Sequence, residues 1–193
     1  MKTKSLIIPV YNEEDNILIL FKEILSTGVY EVVDNIIYID DSSNDDSLSL
    51  MNNIQVEYKK VIVLKNSYNR GQSFSIFKAA EYSNHNLFIT LDGDGQNNPL
   101  DILKLLEVYL ESDKYSLVSG LRIKRKDSMV KIISSKVANL VRMKILKDDC
   151  PYTGCSLKVF DREIFLSFPY FDGMHRFLPA LFKGFGKKFF LWM

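Results

Sequence analysis

Short apolar runs alternate along this chain with stretches whose apolar residues recur at helical spacing. Ser5-Leu6-Ile7-Ile8-Pro9-Val10 reads as a first strand, ended by Pro9, which has no N–H for a ladder. After the polar turn Tyr11-Asn12-Glu13-Glu14, residues Ile17, Leu20, Phe21, Ile24 and Leu25 fall at i, i+3, i+4, i+7 and i+8, one face of a helix. Gly28 ends that helix. Asn35 to Asp40 reads as a second strand closed by Asp40-Asp41, and Ser43 with Asp46 resembles a capping box that starts a helix. Val61 to Lys65 is a third strand, and Gly71 to Tyr82 a helix with Ile76, Ala79 and Ala80 inward. Leu87 to Leu91 is a fourth strand, apolar enough to be buried on both faces. Ile102, Leu105, Leu106, Tyr109 and Leu110 repeat the helical spacing, and Leu117 to Gly120 is a fifth strand. Strand–helix alternation over the first 120 or so residues predicts an α/β fold, a mostly parallel, doubly wound sheet with helices on both faces. Further on come a loop over 148–154, a strand from Cys155 to Phe160, a helix from Asp161 and the aromatic segment Phe168 to Phe177. The last residues, Lys187 to Met193, read as a strand with nothing after it, so a C-terminal continuation is expected.

The fourth strand runs straight into Asp92-Gly93-Asp94-Gly95-Gln96. Two carboxylates and an amide oxygen occupy every second position of a turn, and the glycines let the backbone bend so that the three oxygens converge. Hard cations such as Mg²⁺ and Mn²⁺ take such oxygen ligands and leave positions open for phosphate. The competing reading is a surface turn with acidic decoration. A calcium EF-hand is excluded, since Asn97 stands where that loop needs Gly and Leu103 where it needs a bidentate Glu. Position favours the metal: open α/β sheets bind ligands at the carboxyl ends of their strands. No GxGxxG or GxxxxGK loop occurs, so any nucleotide phosphates must be held by metal and side chains.

Composition narrows this further. A chain of 193 residues suffices for one domain, read here as 1–193. A net charge of +1 argues against an electrostatic nucleic-acid binder. Two cysteines, Cys150 and Cys155, make no disulfide framework, and a structural zinc site, which would need both of them and both histidines, is not expected. The N-terminal apolar run is too short for a signal peptide, and no stretch approaches the ~18 apolar residues of a membrane span. A cytoplasmic setting follows as the expectation.

Arg122 to Lys147 differs from the rest. It holds nine basic residues against one acid, Asp127, a net +8. Ile133, Val137, Leu140 and Val141 give part of it a helical apolar face. Charge runs are usually solvated helix faces; the functional alternative is a surface for polyphosphate or an anionic leaflet, at the cytoplasmic face of a membrane.

Six motifs in order carry a resemblance: IIPVYNEEDNI, YIDDSSNDDS, NSYNRGQSFSIFKA, DGDGQ, SGLRIKR and TGCSLKVFDRE. Together they resemble family-two glycosyltransferases of the GT-A fold, in the branch of dolichol-phosphate-mannose synthases and undecaprenyl-phosphate glycosyltransferases. The resemblance covers nearly the whole chain. It implies a nucleotide-sugar half over 1–120 and an acceptor-side half over 121–193. By that resemblance Pro9, Tyr11 and Glu13 hold the base and ribose, and either Asp40 or Asp41 reads the nucleobase. Gly71 and Gln72 border the nucleotide, while Asp92, Asp94 and Gln96 bind a divalent metal, Mg²⁺ or Mn²⁺, and the diphosphate. Arg122, Lys131 and Lys136 lie where cationic phosphate contacts are placed. His175 and Arg176 fall at the acceptor end, although a His among aromatics is more often packed than catalytic.

The activity so implied is inverting, metal-dependent transfer of a sugar from a UDP- or GDP-sugar to a polyprenyl phosphate, with Asp94 and Arg122 at the leaving group. One departure bears on the acceptor. Some relatives carry an acid in the segment matching Gly154 to Lys158, where this chain has Cys155 and Ser156. A hydroxyl acceptor needs a general base. A phosphate acceptor, with a second pKa of about 6, is largely dianionic at neutral pH and needs one less. Asp149, or its neighbour Asp148, is the candidate base if one is used. Transfer to a saccharide hydroxyl and an inactive nucleotide-sugar-binding module are the alternatives.

Overall fold

In the computed structural model, which describes residues 2–111, 116–120 and 155–192, each apolar run becomes a strand of one sheet. The strands are β1 (Lys4–Val10), β2 (Asn35–Asp40), β3 (Val61–Lys65), β4 (Leu87–Thr90), β5 (Leu117–Gly120), β6 (Lys158–Asp161) and β7 (Phe189–Trp192). Their spatial order is β3-β2-β1-β4-β6-β5-β7. The first four are mutually parallel. β6 runs antiparallel to both β4 and β5, while β7 lies parallel to β5 at the edge. The alternation read from sequence is therefore borne out, with one addition it could not supply: a reversed strand inside the sheet.

The helices are α1 (Glu14–Ser26), α2 (Val29–Val32), α3 (Ser47–Glu57), α4 (Gln72–Tyr82), α5 (Leu100–Glu111), α6 (Arg162–Leu166) and α7 (Leu178–Gly184), with a 3₁₀ turn at Met174–Arg176. Successive strand residues point to opposite faces, and both faces are covered. Leu6, Ile8, Ile36 and Tyr38 pack with Ile17, Leu20 and Ile24 of α1, Met51 of α3 and Leu105 of α5. On the other face Ile7, Ile37, Ile39 and Phe88 pack with Ile76 and Ala79 of α4, Phe165 of α6 and Phe182 of α7. This two-sided burial explains why the central strands read as unbroken apolar runs rather than alternating ones.

Four readings change. Pro9 does not end β1: the strand continues to Val10, and its ladder with β2 runs to Val10 opposite Asp40. On the β4 edge, however, pairing stops at Ile7 opposite Thr90, before the proline that has no N–H to donate. The Ser43–Asp46 pair forms no capping box; α3 starts at Ser47, and Ser43 Oγ instead accepts a hydrogen bond from Asn12 N at 3.0 Å. The strand read from Cys155 begins only at Lys158. Leu110, assigned to the apolar face of α5, is exposed. The helix read from Asp161 is found, with the Asp161 carboxylate accepting from Ile164 N at 3.1 Å as its N-cap.

Candidate functional site

The loops that follow β1, β2 and β4 converge at the carboxyl ends of these parallel strands. There they enclose a cleft of about 180 Å³ lined by Pro9, Val10, Tyr11, Glu13, Asp41, Gln72, Ser75, Asp92, Gly93 and Asp94. One water occupies ~30 Å³ of liquid, so the cleft admits a ligand of many atoms.

The first two loops are laced together. Asn12 N donates to Ser43 Oγ at 3.0 Å and Asn44 N to Asn12 Oδ1 at 2.8 Å. Glu13 N donates to Ser47 Oγ at 2.8 Å, Glu14 N to Asp45 Oδ2 at 3.1 Å and Asp46 N to Glu14 Oε2 at 2.8 Å. Asn12 and Ser42 both take positive φ, 55° and 65°, a conformation that costs non-glycine residues energy and persists where surrounding contacts hold it. Ser43, whose position suggested a helix start, is consumed by this lacing.

Of the two adjacent acids, Asp41 lines the cleft and Asp40 does not. Asp40 is fully buried; its Oδ1 accepts from Ser43 N at 3.0 Å, and its Oδ2 has no partner among the described residues. Asp41 accepts three hydrogen bonds: from Asn66 Nδ2 at 2.7 Å, Arg70 N at 2.8 Å and Gly71 N at 2.7 Å. It thereby fixes the loop that leads into α4. Gly71 sits at φ 80°, where a side chain would be strained. The next residue, Gln72, donates through Nε2 to Asp92 Oδ1 at 2.6 Å.

Asp92 and Asp94 face the same cleft from either side of Gly93. Burial pushes the Asp92 carboxyl up, and the Asp94 charge adds to this; hydrogen bonds from Ser156 and Gln72 and the positive charge of Lys158 pull it down. Ser156 is itself held by Asn97 Nδ2 at 2.8 Å and, through its carbonyl, by Thr90 Oγ1 at 2.5 Å. Lys158, nearly fully buried, donates to the Cys155 carbonyl. No group of three or more His, Cys, Asp or Glu side chains able to hold a metal is found among the described residues. The donor chemistry nevertheless fits a hard divalent cation: two carboxylates in one cleft, one of them disfavoured by burial and by the other, are relieved by a cation between them. A cation held by these two carboxylates would need further ligands from outside them. Gln96 is exposed and outside the cleft lining; its backbone N–H donates to Asp94 Oδ1 at 3.1 Å, shaping the turn.

His175 does not reach the cleft lining. Its Nδ1 is 2.6 Å from Ser73 Oγ on α4, and burial, aided by the charges of Lys158 and Arg176, lowers its pKa to about 4. It is therefore neutral at physiological pH, and no charge of its own is available for a phosphate. Arg176 is exposed beside it. Arg122, Lys131, Lys136 and Asp149 lie outside the described residues. Sequence reading gave no role at the site to Ser75, Ser156 or Lys158. Lys158 carried a signal, as a lysine inside the apolar run Leu157 to Phe160.

An open, doubly wound sheet with acids at the ends of β2 and β4 and no glycine-rich phosphate loop is the GT-A class of α/β fold. The chain belongs to glycosyl transferase family 2, whose family model matches residues 5–167. It is 31% identical over 195 residues to the undecaprenyl-phosphate 4-deoxy-4-formamido-L-arabinose transferase of Pectobacterium atrosepticum, covering 97% of this chain and 58% of that protein. The transferase of the same name from Yersinia enterocolitica is 30% identical over 194 residues, with the same coverage. The chain thus spans little more than half the length of these relatives. Among solved structures, mannosyl-3-phosphoglycerate synthase from Rubrobacter xylanophilus superposes with a TM-score of 0.75 at 18% identity, over 98% of this chain and 65% of its own. Glucosyl-3-phosphoglycerate synthase from Mycobacterium tuberculosis, solved with Mn²⁺, UDP and phosphoglyceric acid, gives 0.73 at 18% identity, over 98% and 68%. These likenesses carry the fold.

Proposed function

We propose that this chain is the catalytic domain of an inverting, metal-dependent glycosyltransferase that moves a sugar from a UDP- or GDP-sugar to a polyprenyl phosphate. The observation that carries the reading is the Asp92–Asp94 pair at the end of the central strand, facing Asp41, Glu13 and Gln72 across one cleft. Residues 1–120 form the donor half, and the remainder the acceptor side.

In this reading Pro9, Tyr11 and Glu13 border the base and ribose, and Tyr11, 44% exposed, offers a ring for stacking at the cleft mouth. Asp41 keeps the Arg70–Gly71 loop in place beside the nucleotide. Asp92 and Asp94 hold Mg²⁺ or Mn²⁺, which when bound supplies Lewis-acid stabilisation of the departing diphosphate. Gln72, Ser156 and Lys158 counter the burial that raises the Asp92 carboxyl, and Gln72 orients it for that role. The bond from the anomeric carbon to the diphosphate oxygen breaks while an acceptor oxygen forms a bond from the opposite face, so the configuration inverts. A phosphate dianion as acceptor delivers its oxygen without a proton to remove. The names of the relatives and the basic stretch Arg122 to Lys147, including Arg122, Lys131 and Lys136, support an anionic acceptor.

Calorimetry with UDP, GDP and their sugars in Mn²⁺ should give saturable binding that EDTA abolishes. Absence of binding to every nucleotide tested removes the assignment. Labelled-sugar transfer should appear with undecaprenyl or dolichyl phosphate and not with a free saccharide; the reverse preference makes the acceptor a hydroxyl. Binding to anionic vesicles should weaken as salt rises through ~0.15 to 1 M, where the screening length falls from ~8 to ~3 Å. Salt-independent association would remove the electrostatic membrane role.

A further inference from the structure

Gln72 reaches Asp92 from the first turn of α4, a turn whose N-cap position, Gly71, offers no side chain to fix it. The residues on either side of Gln72 are nevertheless anchored from elsewhere. Gly71 N donates to Asp41 Oδ2 at 2.7 Å, from the β2 end of the sheet. Ser73 Oγ lies 2.6 Å from His175 Nδ1 and accepts from His175 N at 3.3 Å, on a 3₁₀ turn 102 residues further along the chain. The pair of bonds also orients the imidazole. Ser73 Oγ, which accepts the backbone N–H, keeps a second lone pair and its own hydrogen for Nδ1, so either atom can donate in that bond. Lys158 stands close enough to both Asp92 and His175 for its charge to act on each, so the two lie around one buried ammonium group.

We propose that His175 is a positioning residue for the cation site: through Ser73 it pins the first turn of α4, and so keeps the Gln72 carboxamide on Asp92. The inference rests on the reading of Asp92 and Asp94 as cation ligands and extends it to the C-terminal segment, which thereby becomes part of the donor site without touching donor. The consequence is a coupling between the C-terminal segment and the middle of the chain: whatever displaces the 174–176 turn loosens Asp92.

The test uses the full chain and two readouts, one of which needs no ligand. The first is the side-chain NH₂ resonance of Gln72 in ¹⁵N–¹H spectra, assigned by its loss in Gln72→Ala. Ser73→Ala and His175→Phe should each shift it and speed its hydrogen exchange, while His175→Asn, whose amide offers both a donor and an acceptor near the Nδ1 position, should restore most of the wild-type position. The second is Mn²⁺-dependent UDP or GDP affinity by calorimetry. It should fall about five- to tenfold in each single variant, the scale of one lost hydrogen bond. The double variant should be no weaker than either single one, because one linkage is broken once. An unmoved Gln72 resonance in both folded single variants overturns the proposal, as do losses that multiply in the double variant. If wild-type protein binds no Mn²⁺ and no nucleotide but the Gln72 resonance still moves, the linkage stands and the cation reading fails; the two failures are thus distinguishable. Ser73→Ala removes a single oxygen, so it serves as the folded comparison should His175→Phe prove insoluble.

Discussion

Gly93 separates the two acids of the cleft. A β-carbon placed there would lie 3.2 Å from the Pro9 carbonyl oxygen and 3.3 Å from Val10 Cγ2. The first of these is backbone in the middle of the sheet, so the loop, not β1, has to move. Gly93→Ala should therefore leave the fold standing while weakening Mn²⁺-dependent nucleotide binding by about tenfold or more, ~1.4 kcal/mol. A variant with wild-type affinity would show that the close approach of this loop to β1 is immaterial. Asp94→Asn removes one of the two carboxylates and the charge that opposes Asp92. Calorimetry should show metal-dependent binding lost and thermal stability unchanged or slightly raised, because Asp92 is relieved of a like charge. Retained metal-dependent affinity would count against the site. At this scale the DGDGQ turn disclosed the acids but not which residues line the cleft: Asp92 and Asp94 do and Gln96 does not, and of the earlier pair Asp41 does and Asp40 does not. Those choices depend on backbone direction at the strand ends, where successive side chains point to opposite sides.

At the scale of elements, local patterns held wherever burial set them. The apolar faces of α1 and α5 were legible because Ile17, Leu20, Phe21 and Ile24, and Ile102, Leu105, Leu106 and Tyr109, must all be covered by the sheet. Polar signals were less dependable, because the same groups serve two uses. Ser43 was read as a cap and became a tie between loops, whereas Asp161 was read as a helix start and is one. Asp161→Ala should cost about 1 kcal/mol, the worth of an N-cap. In a domain of this size that is a fall of about 2–4 °C in thermal midpoint, with the cleft unaffected. An unchanged midpoint would mean that α6 is held wholly by Phe165 in the core. Pro9 shows a third case: its missing N–H does not stop the strand, but the β1–β4 ladder ends just before it, opening the crevice in which Gly93 and Asp92 sit.

At the scale of the molecule, the 3₁₀ turn carrying His175 closes onto α4, and this has a pH signature. The folded protein holds His175 at about 4, against ~6.5 for an unfolded chain. On acidification the unfolded chain takes up the proton first. The stability this group contributes is complete above pH ~6.5, declines between ~6.5 and about 4, and is gone below; at most about 3 kcal/mol is involved. Asp92, pushed the other way, adds stability as the pH drops below its raised value, so it opposes this slope at the acid end. Urea unfolding in EDTA at pH 7.5 and 5.5 should show wild-type protein losing more stability than His175→Asn. Equal losses would mean that His175 is not held neutral. The sequence alone determined the alternation of strands and helices, the two-faced core and the presence of paired acids after β4, because these follow from local periodicity and from how much apolar surface must be hidden. Only the tertiary structure decided that β6 runs antiparallel, that Asp41 rather than Asp40 meets the cleft, and that His175 joins Ser73 beside Gln72. Those depend on contacts between segments as much as 102 residues apart, which no pattern along the chain encodes.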